Sequence, residues 1–286
     1  MPFPWKVWVT AGWAALAVAQ TPPRPHFDVA AIKLHITGGN LVRVQPQPGG
    51  RLIVENAPLR SLIETAYGIQ DYQLSDGPRW LLSDRYDIQA KAEGIVPAKQ
   101  TAGPMLQALL EDRFRLKVHR EIRQLPVYEL AISRRGAKLP RARPGGCLTY
   151  NPDLPLPPMP APGQRAPVFC GFRGFGFDGP NRTLEMAGVT MAELAASLSA
   201  GELRTRIIDK TGLAGTFDVH LKWIADPVSA TAVHAQVVPG PPPPPVDTNG
   251  PSLLSAIQEQ LGLKLEPAKG PVDVLVIDHL ESPSAN

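Results

Sequence analysis

Two stretches of the chain carry the same hydrophobic pattern 132 residues apart, and this repetition constrains the fold more than any other feature of the sequence. Residues 51–68 and residues 183–199 each begin with alternating apolar residues and then change to apolar residues at helical spacing. In this alignment Leu62 falls on Leu194, and both belong to the apolar stripe of the expected helix. Because a strand pattern is followed by a helix pattern twice, the sequence predicts a structural unit that occurs twice.

A second pair of segments, beginning at Gly103 and at Gly250, matches at a shift of 147 residues. Each contains an apolar stripe typical of a helix, followed by two strand patterns. The combined order is strand, helix, strand, helix, strand, strand, once in residues 20–140 and again in residues 182–286. This order predicts an α+β fold of two similar units, with mixed or antiparallel sheets and helices on one face.

Proline-rich stretches separate the two units and interrupt the second one. The 286 residues include 33 Pro and 25 Gly, a high share for a globular protein, although 43% hydrophobic residues still supply a sizeable core. Residues 141–181 are predicted to be a Pro/Gly-rich linker. Residues 226–250, which contain five consecutive prolines, are predicted to be a loop inserted into the second unit.

The N-terminal residues 1–19 have the pattern of a secretory signal peptide. Lys6 precedes an uncharged apolar stretch, and a small-x-small pattern ends at Ala19, so cleavage is expected between Ala19 and Gln20. The alternative is a buried N-terminal helix. We therefore expect a chain exported to the periplasm or to the medium, without a membrane span in its mature part, because the later apolar runs are only strand-sized.

The chain has two cysteines, Cys147 and Cys170, and both lie in the expected linker. An even number of cysteines in an oxidising compartment favours a disulfide. Such a bridge would close a loop of about 20 residues and add roughly 3 kcal/mol by restricting the unfolded chain. Two free thiols and a thiol nucleophile are the alternatives.

Several stretches, taken in order, resemble one protein family. They include FDVAAIK from Phe27, MLQALLEDRFRLKVHRE from Met105, IIDKTGLAGTFDVHLKW from Ile207 and the C-terminal segment from Pro251. Together they are similar to a soil-associated family of exported proteins, greatly expanded in some soil bacteria, for which no activity is established. Some relatives carry the same module beside a membrane metallopeptidase of the antibiotic-sensor type. The resemblance therefore implies sensing or interaction and supplies no catalytic residue.

A second likeness covers residues 189–221. This stretch is similar to the short repeat modules at the N-termini of secretins and TonB-dependent receptors. Those modules are small α+β units used for protein contacts, so the likeness concerns the fold and gives no site.

Sequence motifs of known catalytic chemistry are missing from this chain. It has no Gly-x-Ser-x-Gly motif, and its six histidines are scattered without metal-ligand spacing. We therefore predict no catalytic, cofactor-binding or metal-binding residue. A net charge of +3 is too small to indicate nucleic acid as a partner.

The acidic series Asp71, Asp76, Asp84 and Asp87 is compatible with the paired carboxylates of glycoside hydrolysis. However, Asp218 occupies the place of Asp87 in the second unit, next to an aromatic residue each time. Recurrence at a turn–strand junction favours a structural role for this aspartate.

Three phenylalanines follow Cys170 in a Gly-rich stretch, namely Phe172, Phe175 and Phe177. They either tuck a loop onto the core or form an exposed aromatic contact surface, which makes them candidate interaction residues. The sequence as a whole favours a non-catalytic binding module for an unknown envelope or extracellular protein, peptide or glycan. The alternative is a secreted hydrolase whose site is assembled from dispersed Asp, His and Arg residues.

Overall fold

A computed structural model of the chain describes residues 24–36, 41–149, 168–178, 181–201, 203–224 and 250–283. It contains three mostly antiparallel sheets and a few helices, which confirms the predicted α+β class. The strands are β1 (Val29–Leu34), β2 (Arg43–Gln47), β3 (Arg51–Pro58), β4 (Leu74–Ser75), β5 (Arg85–Lys91), β6 (Lys117–Ile132), β7 (Arg173–Asp178), β8 (Asn181–Val189), β9 (Ile207–Asp209), β10 (Phe217–Ile224) and β11 (Leu263–His279). The helices are α1 (Leu59–Tyr67), α2 (Trp80–Ser83), α3 (Ala98–Gln100), α4 (Leu106–Phe114), α5 (Met191–Ala200) and α6 (Leu253–Gln260), with a 3-10 turn at Asp71–Gln73 and a π-helical turn at Thr101–Met105. The expected signal peptide with its cleavage site at Ala19 and Gln20 lies outside the described residues, as do residues 150–167 and 179–180 of the expected linker and residues 226–249 of the expected inserted loop.

The first sheet has the strand order β1-β5-β3-β2, and all its neighbouring strands are antiparallel. Helix α1 packs on one face, where Leu59, Leu62 and Ile63 are fully buried with Leu52 and Ile88 of the sheet. Each such side chain contributes about 1.5–3 kcal/mol when it is removed from water. This layer therefore stabilises the first half of the molecule, from β1 to β6.

The second sheet has the order β10-β8-β7, again antiparallel. Helix α5 covers it with Met191 and Leu194, which are buried against Leu184. The helix begins with a capping box, in which the backbone N–H of Glu193 donates to Oγ1 of Thr190 at 3.2 Å and the backbone N–H of Thr190 donates to the Glu193 carboxylate at 2.8 Å. These bonds satisfy two of the N–H groups that a helix start leaves free.

A long antiparallel ribbon of β6 and β11 joins the first half to the second half, which runs from β7 to β11. The short strands β4 and β9 extend the ribbon in parallel, β4 along β11 and β9 along β6. Leu275 and Ile277 of β11 belong to the core of the first half, whereas Leu130 of β6 and Leu263 of β11 belong to the core of the second. The ribbon thus supplies side chains to both cores.

The same order of elements occurs in both halves. Apart from the short helices α2 and α3 and the two short helical turns of the first half, it runs β3, α1, β4, β5, α4, β6 in the first half and β8, α5, β9, β10, α6, β11 in the second. Three features differ from the prediction. The two final strands expected in each unit are one continuous strand, β4 and β9 were not predicted, and β7 lies inside the range 141–181 that was predicted to be a linker. In the second sheet β7 takes the edge position that β2 takes in the first.

An aspartate holds a β-bulge at the corresponding place in each half. The backbone N–H of Asn56, at φ 53°, donates to Asp87 at 2.8 Å, and the backbone N–H of Gly188, at φ 60°, donates to Asp218 at 3.0 Å. The strand register shifts at both places. Because a buried N–H needs a partner, the repeated aspartate has a structural role at the bulge.

Candidate functional site

The predicted disulfide between Cys147 and Cys170 is confirmed, with the two Cα atoms 5.0 Å apart. The chain on its two sides is also joined by backbone hydrogen bonds, because the N–H of Leu148 donates to the carbonyl of Val168 and the N–H of Cys170 donates to the carbonyl of Leu148, both at 2.8 Å. Residues 146–149 and 168–172 therefore form one cross-linked element, here named the disulfide loop.

The disulfide loop rests on strand β8 beside the bulge. The N–H of Gly171 donates to the carbonyl of Ala187 at 2.8 Å, and the N–H of Ala187 donates to the carbonyl of Phe172 at 3.3 Å. A Cβ on Gly188 would lie 2.8 Å from Sγ of Cys147, so only glycine leaves room for the disulfide at this point. The disulfide loop thus packs against the same bulge that Asp218 stabilises.

A groove of about 500 Å³ lies between the disulfide loop and the end of α6, on the face of the second sheet that α5 does not cover. Its lining combines residues of β8, β10, the disulfide loop and the chain on either side of them. These residues are Lys138, Pro140, Gly146, Val168, Phe172, Glu185, Met186, Ala187, Asp218, Val219, His220, Gln260 and Leu261. The lining is predominantly apolar with a few polar groups, which is the usual composition of a binding site.

One wall of the groove occupies the position that a strand has in the first half. In the first half β1 pairs along the outer edge of β5, whereas the corresponding edge of β10 binds a short strap, residues 138–142. The N–H of Asp218 donates to the carbonyl of Pro140 at 3.0 Å. Further along, the carboxamide of Gln260 accepts from the N–H of Lys222 at 2.9 Å and donates to its carbonyl at 2.7 Å, as a neighbouring peptide group would.

The floor of the groove carries opposite charges. Glu185 and His220 are cross-strand neighbours, and their side chains form an exposed ion pair at 3.2 Å when the histidine is protonated. Lys138 lies at the rim, where its Nζ donates to the carbonyl of Glu259 at 2.7 Å. Apolar walls above a floor that can both donate and accept hydrogen bonds fit a segment with an apolar side chain beside polar backbone groups.

The three phenylalanines that the sequence singled out do not share one surface. Phe172 is 46% exposed and lines the groove, with its ring over Gly174, where a Cβ would come within 2.8 Å of the ring. Phe175 and Phe177 are 62% and 71% exposed and lie on the other face of the sheet. All three are therefore accessible to solvent in the described part of the chain, and only Phe172 belongs to the groove.

The candidate acidic residues are dispersed among separate partners. Asp71 binds Arg60, Asp76 binds Arg123, Asp84 accepts from the hydroxyl of Ser83, and Asp87 binds Asn56 and His35. Burial acts to raise the pKa of Asp87, but the N–H of Asn56 and the His35 imidazole hold it below its usual value. The series Asp71, Asp76, Asp84 and Asp87 is thus not brought together into a carboxylate pair.

A different pair of carboxyl groups, those of Glu64 and Asp71, lines a cavity of about 220 Å³ between α1 and the chain after α5. Nε of Arg60 donates to Asp71 at 2.6 Å and lies 3.0 Å from a carboxylate oxygen of Glu64, while Arg204 approaches the Asp71 carboxylate at 3.3 Å. Burial raises the pKa of Glu64 above its ordinary value. Burial also acts to raise the pKa of Asp71, but the hydrogen bonds and charges of Arg60 and Arg204 lower it. Since Arg204 comes from the second half, the cluster also ties the two halves together.

Sequence reasoning missed most of the groove, because its lining comes from segments that are far apart in the chain. One signal was present: residues 27–36 have a strand pattern at the start of the first unit, and the start of the second unit has no counterpart of it. The strap and Gln260 occupy the edge left free by that missing strand.

The described residues contain neither a cluster suited to a metal ion nor a helix suited to a membrane. No group of three or more His, Cys, Asp or Glu side chains in this part of the chain is arranged to hold a metal ion. No helix among these residues has the length and apolar composition needed to cross a membrane.

The chain matches one known protein family. Residues 60–280 match a family described as protein of unknown function (DUF3738), and the chain belongs to this family. No curated protein matches the chain, and no solved structure matches it either.

Proposed function

We propose that this member of the DUF3738 family is an exported, non-catalytic binding module whose groove takes a segment of an envelope or extracellular protein. The observation that carries the proposal is the groove itself, a cavity of about 500 Å³ with one wall fixed by a disulfide. A disulfide persists in an oxidising compartment, which supports export through the signal peptide expected at residues 1–19.

A peptide segment suits the groove better than a glycan does. Val168 and Phe172 are 42% and 46% exposed and offer apolar contact, which favours an aliphatic or aromatic side chain of the partner. Phe172 is accessible without any rearrangement, and contacts made by an aromatic residue dominate many interfaces. The disulfide holds this wall in place before binding, so less conformational entropy is lost on association.

The family resemblances described in the sequence analysis also favour a binding function. A soil-associated exported family, with relatives that carry the module beside antibiotic-sensor-type membrane metallopeptidases, suggests sensing or interaction. The likeness of residues 189–221 to contact modules of secretins and TonB-dependent receptors adds a fold used for protein contacts.

The test is a pull-down with the oxidised mature chain, residues 20–286, as bait for envelope and culture-fluid proteins, with mass spectrometry as the readout. One partner enriched near stoichiometry is expected. Phe172→Ser should abolish its capture, because that substitution removes the aromatic wall of the groove. Leu82→Ser, which changes an exposed apolar residue of α2 in the first half, is the matched control and should leave capture intact.

Three results would count against the proposal. They are the absence of an enriched partner, equal loss of the partner with both variants, and retention of a glycan where no protein is retained. The last result would replace the peptide by a glycan as the ligand. Thermal melting of both variants checks that each is folded at the temperature of the assay.

A second candidate function is hydrolysis at the Glu64–Asp71 pair. One carboxyl group with a raised pKa beside one with a lowered pKa is the arrangement that separates a general acid from a general base. Activity of the mature chain on peptide, ester or glycoside substrates that disappears in Glu64→Gln, but not in the exposed control Glu55→Gln, would establish it. Equal activity in the two variants would exclude this pair.

A further inference from the structure

Two aromatic side chains of β7 lie on the sheet face that is buried elsewhere. Phe175 is the cross-strand neighbour of Leu184, which is in turn the neighbour of Leu221, and both leucines are buried beneath α5. Phe177 is in the same way the cross-strand neighbour of Arg182. Phe175 and Phe177, here named the Phe face, are nevertheless the most exposed phenylalanines among the described residues. The buried layer therefore stops one strand short of the sheet edge.

In the first half, the connection between β5 and α4 crosses the corresponding edge. Pro46 of β2 pairs with Leu52 as Phe175 pairs with Leu184. Helix α3 and the π-helical turn both contact β2, and the turn also contacts β3. The connection starts at Ala92, whose N–H donates to the carbonyl of Gly50 at 2.9 Å. In the first half, residues 92–105 thus cover the part of the sheet that corresponds to the exposed Phe face of the second half.

The matching connection in the second half runs from β10 to α6, and its residues 225–249 lie outside the described part of the chain. The two ends of this segment are joined to each other at the end of β10, because the N–H of Ile224 donates to the carbonyl of Pro251 at 3.0 Å. Ile224 pairs with Asn181 of β8, and Asn181 pairs with the last residue of β7. Strands lie about 4.8 Å apart, so β7 is only about 10 Å from the point where the segment leaves β10. At up to about 3.3 Å per residue, the segment is long enough to reach the Phe face and return.

We propose that residues 225–249 of this chain dock on the Phe face, as residues 92–105 dock on the edge of the first sheet. The composition of the segment fits that surface. It contains Pro241–Pro245, preceded by Gly240 and followed by Val246, and its only Asp, Glu, Lys or Arg residues are Asp226 and Asp247. Proline runs prefer the polyproline II conformation, which binds aromatic surfaces at little cost in conformational entropy.

Docking also solves a problem of the second sheet. An edge strand with exposed aromatic residues invites pairing with another chain, and proteins commonly protect such an edge with a covering segment. The groove lies on the opposite face of the sheet, so this inference does not depend on the proposed function.

Photo-crosslinking of the full mature chain tests the inference. The photoreactive amino acid p-benzoylphenylalanine is placed at position 177, and crosslinked peptides are located by proteolysis and fragment-ion mass spectrometry. We expect crosslinks within one chain that end in residues 225–249. The same amino acid at the exposed position Ile122 of β6 is the matched control and should give no crosslink to that segment.

The other outcomes overturn the inference. A crosslink between two chains would show that a second copy of the chain occupies the Phe face. A crosslink to a different region of the same chain, or no crosslink to residues 225–249, would show that this segment does not dock there. A second variant, in which Pro241–Pro245 are replaced by serines, should lower the crosslink yield at least several-fold. An unchanged yield would show that the prolines do not make the contact.

Discussion

Replacing Gly188 by alanine tests how the disulfide loop is held against the second sheet. A Cβ at this position would lie 2.8 Å from Sγ of Cys147, which is closer than a methyl group can approach without displacing the disulfide. The residue also has φ 60°, in the left-handed region. That backbone conformation costs other L-residues about 1–2 kcal/mol, and overpacking of a filled site costs about 1–3 kcal/mol. We therefore expect Gly188→Ala to lower the free energy of unfolding by about 2–5 kcal/mol.

Gly171→Ala is the matched control. Gly171 belongs to the same disulfide loop and has φ 79°, but nothing lies within 4 Å of the position that its Cβ would take. It should lose only the backbone contribution, about 1–2 kcal/mol. Urea unfolding of the oxidised proteins, followed by circular dichroism, measures both losses.

A double-mutant comparison then separates the two causes. In a chain with both cysteines replaced by alanine, Sγ of Cys147 is gone and the excess loss of Gly188→Ala over Gly171→Ala should shrink. Equal losses for the two glycine variants in the oxidised protein would refute the reasoning, because contact with the disulfide would then contribute nothing.

The disulfide itself, which joins residues 23 apart in sequence, should contribute about 3 kcal/mol; urea unfolding of the variant with both cysteines replaced by alanine measures the loss, and an unchanged midpoint would contradict it. Asp218→Ala leaves the N–H of Gly188 without its acceptor and should cost about 1–3 kcal/mol, whereas Asp218→Asn keeps an acceptor and should cost less; equal losses in thermal or urea unfolding would argue against the bulge bond. The His119 imidazole donates a hydrogen bond to the Asp278 carboxylate, which raises the pKa of His119, so their ion pair stabilises the fold fully below the unfolded pKa of about 6.5 and is lost as the pH rises through the higher folded pKa. The stability advantage of wild type over His119→Gln, measured by urea unfolding at a series of pH values, should therefore shrink as the pH rises above about 6.5, and an advantage independent of pH would contradict the assignment.

The elements that the sequence predicts well are those whose signal is local. Helices α1 and α5 have apolar residues at helical spacing and a clear change of period at their start, so their positions follow from residues 51–68 and 183–199 alone. The disulfide followed from two cysteines and an expected export signal. In each of these cases, a few neighbouring residues determine the outcome.

The ribbon could not be predicted in the same way. The middle of β6 is polar, and Pro126 lies inside the strand, as do Pro267 and Pro271 in β11. Such residues normally indicate a break, and two short strands were accordingly expected at each place. The strands are continuous because each pairs with the other along its whole length, across about half of the sequence. Long-range pairing overrides local preference here.

Strand β7 shows the same limit on a smaller scale. Alternating Gly and Phe in residues 171–177 indicate a loop on composition, since glycine weakens a strand. Pairing with β8 makes the segment a strand, and Gly174 is the position over which the ring of Phe172 packs. The composition was informative, but its meaning depended on a neighbour that the local pattern does not identify.

The comparison between the two halves also explains why the candidate site lies in the second. At the edge of the first sheet β1 closes the outer side of β5 with regular backbone pairing. The corresponding edge of β10 is closed instead by the strap, a side-chain carboxamide from Gln260 and the backbone of Pro251, and these separate pieces leave a groove between them and the disulfide loop. If stability alone had shaped both halves, a regular strand would serve equally well in each, because backbone pairing satisfies every polar group of an edge. The replacement of a strand by irregular pieces, together with a disulfide that the first half lacks, therefore supports our proposal that this side of the second sheet contacts another molecule.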